Sequence, residues 1–152
     1  MKKKILLVLG GLLLVIQFFR PDTSVPTVDP ALDIRKTLQP PADVTSILET
    51  ACYDCHSYET RYPWYNQIAP VSWWLANHVR EGREHLNFNT FASLPAEDRA
   101  HALEEIVETI EKGEMPLNSY TWTHADARLS AGQRATLVAW AKGAGGGEET
   151  EE

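Results

Sequence analysis

Both cysteines of the chain lie in one short motif. Residues 52–56 read Cys-Tyr-Asp-Cys-His, so the two cysteines stand at i and i+3 and a histidine follows directly. This spacing presents two sulfurs on one side of a helix end, where they match the two vinyl groups of a porphyrin, and the histidine then lies beneath the ring as an axial ligand of iron. The motif predicts one covalently attached haem c, held by Cys52 and Cys55 and ligated by His56.

Two other uses of the paired cysteines have weaker support. A redox dithiol of the thioredoxin type follows a strand in a β-α-β pattern, and no such pattern surrounds the motif. A structural zinc site needs four nitrogen or sulfur ligands, commonly from a second paired motif, and the spacing of the remaining histidines supports none. Those histidines are His78, His85, His101 and His124. We therefore favour haem over a dithiol or a metal site.

Met115 is the predicted sixth ligand of the iron. Apart from the initiator it is the one methionine of the chain, and it lies in the irregular segment 113–116, 59 residues after His56. A loop at this position can cross the open face of a haem, and a thioether ligand raises the potential of the iron, which suits electron transfer. His124 and His78 are alternative ligands, and an open sixth position is a third possibility.

The elements that position these residues are predicted to be helices. Apolar residues recur at helical spacing in four segments, and neither strand alternation nor an internal repeat is evident. The helices are expected from the N-cap Asp43 to Cys52, from about residue 70 to His85, from Ala96 to Lys112 with Gly113 as the stop, and from the N-cap Ser130 to a stop at Gly143. The fold class is therefore mostly α, with long irregular connections at 57–69 and 113–129.

Aromatic residues cluster near the motif and near the proposed sixth ligand. They lie in segments 62–65, 73–74 and 120–122. Flat rings of this kind can pack on a macrocycle, and indole or phenol groups can donate hydrogen bonds to its propionates. We further expect a backbone carbonyl at or near Pro70 to accept a hydrogen bond from the other ring nitrogen of His56 and so to set the orientation of the ring.

The N-terminus has the pattern of a membrane signal. Lys2–Lys4 precede the uncharged apolar run Ile5–Phe19, which Arg20 closes. The run has 15 residues, whereas a full helical span needs about 20, and no small-residue cleavage site follows it. We expect an uncleaved signal anchor over residues 1–20 that passes once through the cytoplasmic membrane, with a cleaved signal peptide as the alternative. In both cases the rest of the chain lies on the periplasmic, extracytoplasmic side.

The remaining chain is predicted to have three parts. Five of the nine prolines fall in residues 20–41, so residues 21–41 are expected to form an extended tether. Residues 42–143 are expected to form the c-type haem-binding domain. Residues 144–152 are rich in glycine and glutamate, which is typical of an acidic, disordered tail.

The chain has a basic N-terminus and an acidic remainder. The net charge is −7, but residues 21–152 alone carry 10 Lys and Arg against 21 Asp and Glu, a net charge of −11. A surface this acidic excludes nucleic acid as a partner, because phosphates require a basic patch. It instead favours a redox partner protein with a basic face, steered by the acidic helix around residues 104–114.

Taken together, these residues resemble the bacterial haem-binding domain family, whose members are small, exported, single-haem proteins similar to c-type cytochromes. The resemblance covers roughly residues 40–142 and is carried by segments 52–65, 69–75, 81–88 and 113–122. It implies a small cytochrome c-like helical domain wrapped around one covalent haem, attached at Cys52 and Cys55 and ligated by His56. Met115 takes the distal position by resemblance to the Met-Pro loop of cytochromes c.

The function that this resemblance implies is that of a membrane-tethered electron carrier rather than an enzyme. Its iron would cycle between Fe(III) and Fe(II) without substrate chemistry. The alternative is a haem-based ligand sensor or weak peroxidase with a displaceable sixth ligand.

Overall fold

The computed structural model describes residues 1–145, and all regular secondary structure in this range is helical. The α-helices are α1 (Lys2–Ile16), α2 (Ile34–Thr37), α3 (Ala42–Ala51), α4 (Tyr53–His56), α5 (Val71–His85), α6 (Ala96–Lys112), α7 (Asn118–Thr121) and α8 (Ala131–Gly145). Short 3₁₀ segments lie at Pro30–Leu32, Trp64–Gln67, Phe88–Ser93 and Ala125–Ala127. The predicted mostly α class is confirmed for the described residues.

The hydrophobic core forms where α3 and α6 pack against α8. Its most buried aliphatic side chains include Val44 and Leu48 of α3, Leu103 and Ile110 of α6, and Leu137 of α8. Within α3 and α6 these residues are four and seven positions apart, which places them on one face of each helix. The apolar residues that recur at helical spacing in the sequence are therefore the ones that form the core.

The two longest predicted helices of the domain are present as expected. α5 begins at Val71 and ends at His85, and α6 spans Ala96–Lys112. Gly113 ends α6 in the left-handed conformation, with φ 72° and ψ 21°, which a glycine adopts without steric cost. Ser130 begins α8 as a capping box: its Oγ accepts from the Gln133 amide at 3.2 Å, and the Gln133 side chain accepts from the Ser130 amide at 2.9 Å.

Two predicted helix ends are wrong. Pro41, not Asp43, is the N-cap of α3, and Asp43 lies in the first turn, where its carboxylate accepts from the Val44 amide and complements the helix dipole. Gly143 does not stop α8, which continues to Gly145, because Gly143 keeps a negative φ and continues the helical conformation. The predicted acidic tail falls almost wholly on residues 146–152, outside the described residues.

The second half of the predicted tether is part of the folded domain. Ile34 is fully buried in the core, and Asp33 caps α2 by accepting from the Arg35 amide at 2.8 Å. The proline-rich composition obscured this helix, since Pro30 begins a 3₁₀ segment and Pro40–Pro41 precede α3. Residues 30–41 therefore pack as domain rather than as an extended spacer.

The N-terminal apolar run forms the helix α1, and each of its apolar side chains from Ile5 to Leu14 is exposed. None of the helices in residues 1–145 combines the length and apolarity needed to cross a bilayer.

Candidate haem site

The two cysteines lie on one short turn between α3 and α5. Cys52 ends α3, and its carbonyl accepts from the amides of Cys55 and His56 at 3.1 and 2.9 Å, which closes the single turn of α4. Both cysteines are free thiols and both are partly exposed. Burial of their sulfurs raises the pKa of Cys52 to about 12 and that of Cys55 to about 11, so both are protonated at neutral pH.

Tyr53, which directly follows Cys52, fixes one side of the motif. Its hydroxyl donates to the buried carboxylate of Asp33 at 2.9 Å, and its ring packs on Phe88 with centroids 5.1 Å apart. Asp33 also accepts two hydrogen bonds from the Arg35 guanidinium, at 2.9 Å each. The motif is thereby attached to the segment that precedes α3, 20 residues earlier in the chain.

Asp54 fixes the other side of the motif. Its buried carboxylate accepts from the backbone amide of Arg61 at 2.8 Å and from the guanidinium of the same residue at 3.1 Å. It also accepts from the hydroxyl of Tyr120 at 2.7 Å, 66 residues further along the chain. The carboxylate therefore connects the cysteine turn to the segment that follows Met115.

His56 is oriented by the end of α5. Its Nδ1 lies 3.0 Å from the carbonyl oxygen of Leu86, and because a carbonyl can only accept, Nδ1 is the donor and Nε2 carries the lone pair. Burial lowers the pKa of His56 and keeps the imidazole neutral, although hydrogen bonds to the carbonyls of Leu86 and Gly82 oppose this shift. A neutral ring with an available nitrogen is the form that binds iron.

The carbonyl that orients His56 is not the one predicted from the sequence. We expected it at or near Pro70, at the start of α5, but it belongs to Leu86, just after the end of the helix. Leu86 has an extended backbone, with φ −153° and ψ 126°, so its carbonyl leaves the helical pattern and turns towards a side chain.

Gly82 permits the close packing of α5 on the cysteine turn. A Cβ atom at this position would lie 2.7 Å from the carbonyl oxygen of Cys55 and 3.2 Å from its Cβ. Real Cβ atoms do not approach a carbonyl oxygen so closely, so only glycine fits here without a backbone shift. Gly82 was not predicted to be a site residue. A glycine inside a helix lowers its stability unless close packing requires it, so the position of Gly82 within a predicted helix was the feature that could have identified it.

A partly uncovered apolar face of α5 adjoins the motif. His78, Leu75 and Val71 precede Gly82 at intervals of four, three and four residues, which places them on the same helix face as the contact with Cys55. Val71 is 40% exposed and its neighbour Trp74 is 47% exposed. The Trp74 ring packs on His78 with centroids 4.3 Å apart. This face offers apolar contact surface on the side of α5 that meets the cysteine turn.

The candidate sixth ligands lie in different surroundings. Met115 is partly buried just beyond the end of α6, where it packs against the hydrophobic core. The ring of His124 stacks on Tyr120 with centroids 4.1 Å apart, and its Nδ1 lies 3.1 Å from the Tyr120 carbonyl. His78 Nδ1 lies 3.0 Å from the Trp74 carbonyl, within α5. His85 and His101 are both exposed.

The described residues lack the surroundings expected for a thioredoxin-like dithiol or for a zinc site at the cysteines. Residues 1–145 contain no strand before the motif, such as a thioredoxin-like dithiol would follow. In the same range no three His, Cys, Asp or Glu side chains are grouped as a metal site.

The fold and the motif define a small helical domain that displays Cys-x-x-Cys-His from a single turn, packed against one long helix. The sequence model of the haem-binding domain family matches residues 11–143, so the chain belongs to that family. No curated protein and no solved structure matches it significantly.

Proposed function

We propose that this protein carries one haem c, attached covalently through Cys52 and Cys55 and ligated by His56, and that it transfers electrons. The observation that carries this proposal is the arrangement of the motif. Two free thiols lie on one turn, and the imidazole beside them is held by the Leu86 carbonyl with Nε2 unprotonated. Membership of the haem-binding domain family supports haem as the cofactor.

The residues around the motif would hold the haem in place by direct contact and by exclusion of water. Val71, Trp74 and Leu75 supply apolar surface on α5, and Gly82 allows this helix to approach the cysteine turn. Tyr53 and Asp54 hold the turn from two sides, Tyr53 through a buried hydrogen bond to Asp33 and Asp54 through a partly buried one from Tyr120. When bound, a haem supplies an iron centre that gains and loses one electron.

Met115 is our proposed sixth ligand. It follows the glycine stop of α6, and the segment after it is fastened to the cysteine turn by the Tyr120–Asp54 hydrogen bond. The carbonyl of Met115 also accepts from Arg134 of α8 at 3.3 Å, which anchors its backbone to the core. A methionine ligand favours the reduced iron and raises its potential.

We place the protein at the cytoplasmic membrane, with α1 as a single-pass signal anchor and the domain on the extracytoplasmic side. The three lysines before the apolar helix support this orientation. Six acidic residues of α6, including Glu104, Glu105 and Glu108, form a negative helix surface. Such a surface suits a redox partner with a basic face.

The sixth ligand is tested by comparing the purified wild-type protein with Met115→Ala and His124→Ala. We expect Met115→Ala to change the absorption spectrum and to lower the reduction potential, because a thioether stabilises Fe(II). His124→Ala is the matched control and should leave both unchanged. A spectrum that changes in His124→Ala and not in Met115→Ala would transfer the ligand role to His124.

The electron-carrier proposal itself is tested on the wild-type protein with carbon monoxide. A six-coordinate carrier should cycle reversibly between its two oxidation states and bind the gas slowly or not at all. Immediate binding by the reduced protein would instead support the sensor or peroxidase alternative with an open sixth position.

A further inference from the structure

The end of the N-terminal helix is fastened to the domain at one place. The Gln17 side chain pairs with the backbone of Ala69 in both directions: its Nε2 donates to the carbonyl at 3.0 Å, and its Oε1 accepts from the amide at 2.9 Å. Two residues later the Phe19 carbonyl accepts from the indole N–H of Trp73 at 2.5 Å. Arg20 donates to the Gln67 side chain. The chain leaving α1 therefore lies against the segment that leads into α5.

Large apolar side chains surround this contact and remain exposed. Phe18 and Phe19 are 87% and 64% exposed, and Ile68 and Trp73 on the domain side are 44% and 39% exposed. We call these four residues the apolar edge. An exposed apolar group next to an apolar helix marks an interaction surface, and aromatic side chains are enriched where a protein meets the membrane–water interface.

The charge around the apolar edge differs from that of the rest of the domain. Residues 60–80 contain no Asp or Glu, in a chain that has 21 acidic residues, and their two arginines are paired with acids outside the segment, Arg61 with Asp54 and Arg80 with Glu84. The first acid after this segment is Glu81, about 15 Å further along α5 from Val71 at 1.5 Å per residue. Because anionic lipid headgroups repel carboxylates, a membrane surface fits the start of α5 better than its acidic end.

The length of the apolar run also indicates that a membrane surface covers the apolar edge. α1 ends at Ile16, so the apolar residues from Ile5 to Ile16 extend about 18 Å as a helix, whereas the hydrocarbon core of a bilayer is about 30 Å thick. A short apolar span is accommodated by local thinning of the bilayer, which brings the lipid headgroups close to the chain that flanks the span. Ile68 and Trp73 lie beside the end of the apolar run, where the headgroups would then meet the domain.

We infer that the apolar edge rests in the lipid–water interface of the membrane that α1 enters. The domain is then docked on the bilayer in one orientation, held by the Gln17–Ala69 pair, instead of moving freely on a spacer. This inference rests on the proposed membrane anchor. It adds a binding surface on the domain and names its partner, the headgroup region of a lipid bilayer.

The test uses the full chain, labelled with 5-fluorotryptophan, in lipid nanodiscs of phosphatidylcholine and phosphatidylglycerol. A lipid with a nitroxide on its headgroup attenuates fluorine signals close to the interface. The intensity of each signal is divided by its intensity in discs without nitroxide, so that broadening caused by the iron cancels. Tryptophan-to-phenylalanine variants assign the signals. We expect a strong loss of signal at Trp73 and little loss at Trp140, which packs against the core on α8.

Two variants with matched exposure sharpen the result. Ile68→Glu places a charge in the apolar edge and should restore the Trp73 signal, whereas Val25→Glu alters a side chain of equal exposure, 45% against 44%, and should not. Gln17→Ala removes both hydrogen bonds to Ala69 and should restore the signal without a new charge.

The outcomes separate this inference from the anchor on which it rests. Failure of the full chain to elute with the nanodiscs would overturn the anchor and the docking together. A chain that elutes with the discs but shows equal signal loss at Trp73 and Trp140 would overturn the docking alone and leave the anchor standing.

Discussion

Gly82 controls how closely α5 approaches the cysteine turn. Because a Cβ there would lie 2.7 Å from the Cys55 carbonyl, any other residue pushes the helix away from the motif. The same helix end supplies the Leu86 carbonyl that orients His56. A displacement at Gly82 is therefore transmitted to the His56 imidazole as well as to the two thiols.

Gly82→Ala is expected to destabilise the protein by about 1–3 kcal/mol through overpacking, despite the better helix propensity of alanine. It should also lower the yield of haem-loaded protein. The matched control is Gly143→Ala, also inside a helix, where a Cβ meets nothing within 4 Å. Urea unfolding measures both, and equal stability of the two variants would contradict the close contact.

Asp33 joins Tyr53, Arg35 and Asn89 in a buried polar cluster. Burial acts to raise the pKa of its carboxyl, but hydrogen bonds from Arg35 and Tyr53 outweigh it and hold the pKa below the usual 3.8. A carboxyl with a lowered folded-state pKa contributes stability above its unfolded pKa and loses this contribution as the pH falls through the folded value. The contribution of Asp33 is therefore complete near neutral pH and is lost below about pH 4.

Asp33→Asn should cost about 2 kcal/mol near neutral pH, since it removes the charge from hydrogen bonds to a guanidinium. The difference from the wild-type protein should shrink as the pH falls below about 4. Urea unfolding at several pH values measures it. The exposed Asp29, whose carboxylate accepts from the Ala31 amide, provides the control variant Asp29→Asn. A difference for Asp33→Asn that is constant with pH would refute the assignment.

α4 depends on its neighbours for its position. It is a single turn of four residues, far below the length at which an isolated helix is stable. Its position comes from α3 before it, α5 against it and the side-chain hydrogen bonds of Tyr53 and Asp54. The turn is thus rigid because three other parts of the chain hold it.

The link between α4 and α7 is testable with a double-mutant cycle. We expect Asp54→Asn and Tyr120→Phe to be coupled by about 1 kcal/mol, because the two side chains share a 2.7 Å hydrogen bond. Tyr65→Phe is the control partner, since the Tyr65 hydroxyl pairs with Thr123 at 3.0 Å instead. Unfolding free energies of the single and double variants give the coupling. Additive effects of Asp54→Asn and Tyr120→Phe would disprove the link.

The four longer helices of the domain, α3, α5, α6 and α8, were predictable from the sequence, whereas α2, α7 and the contacts between the helices were not. Apolar spacing gave the extents of α5 and α6, and Gly113 and Ser130 gave two helix ends, because these signals are local. Gly82 and Leu86 act through neighbours 27 and 30 residues away in the chain, a pairing that no local pattern encodes. The motif predicts the chemistry of the site from local sequence, whereas the side chains that support the motif are positioned by tertiary packing.

The molecule as a whole has an acidic part and a part without acids. The acidic residues of α6 face solvent, while the segment before and at the start of α5 has none and meets the end of α1. We expected a tether that separates anchor and domain, but Ile34 within it is packed in the core, and Phe19 and Arg20 just before it hydrogen-bond to the domain. The end of α1 and the domain are therefore joined by direct contacts rather than by a free spacer.

Covalent attachment of haem is tested most directly by the intact mass of the denatured protein, produced in cells that carry the machinery for c-type haem attachment. The wild-type chain is expected to have the mass of the polypeptide plus one haem. The variant that combines Cys52→Ala and Cys55→Ala is expected to have the mass of the polypeptide alone. A wild-type protein that contains haem when native but shows only the polypeptide mass after denaturation would contradict covalent attachment at the motif.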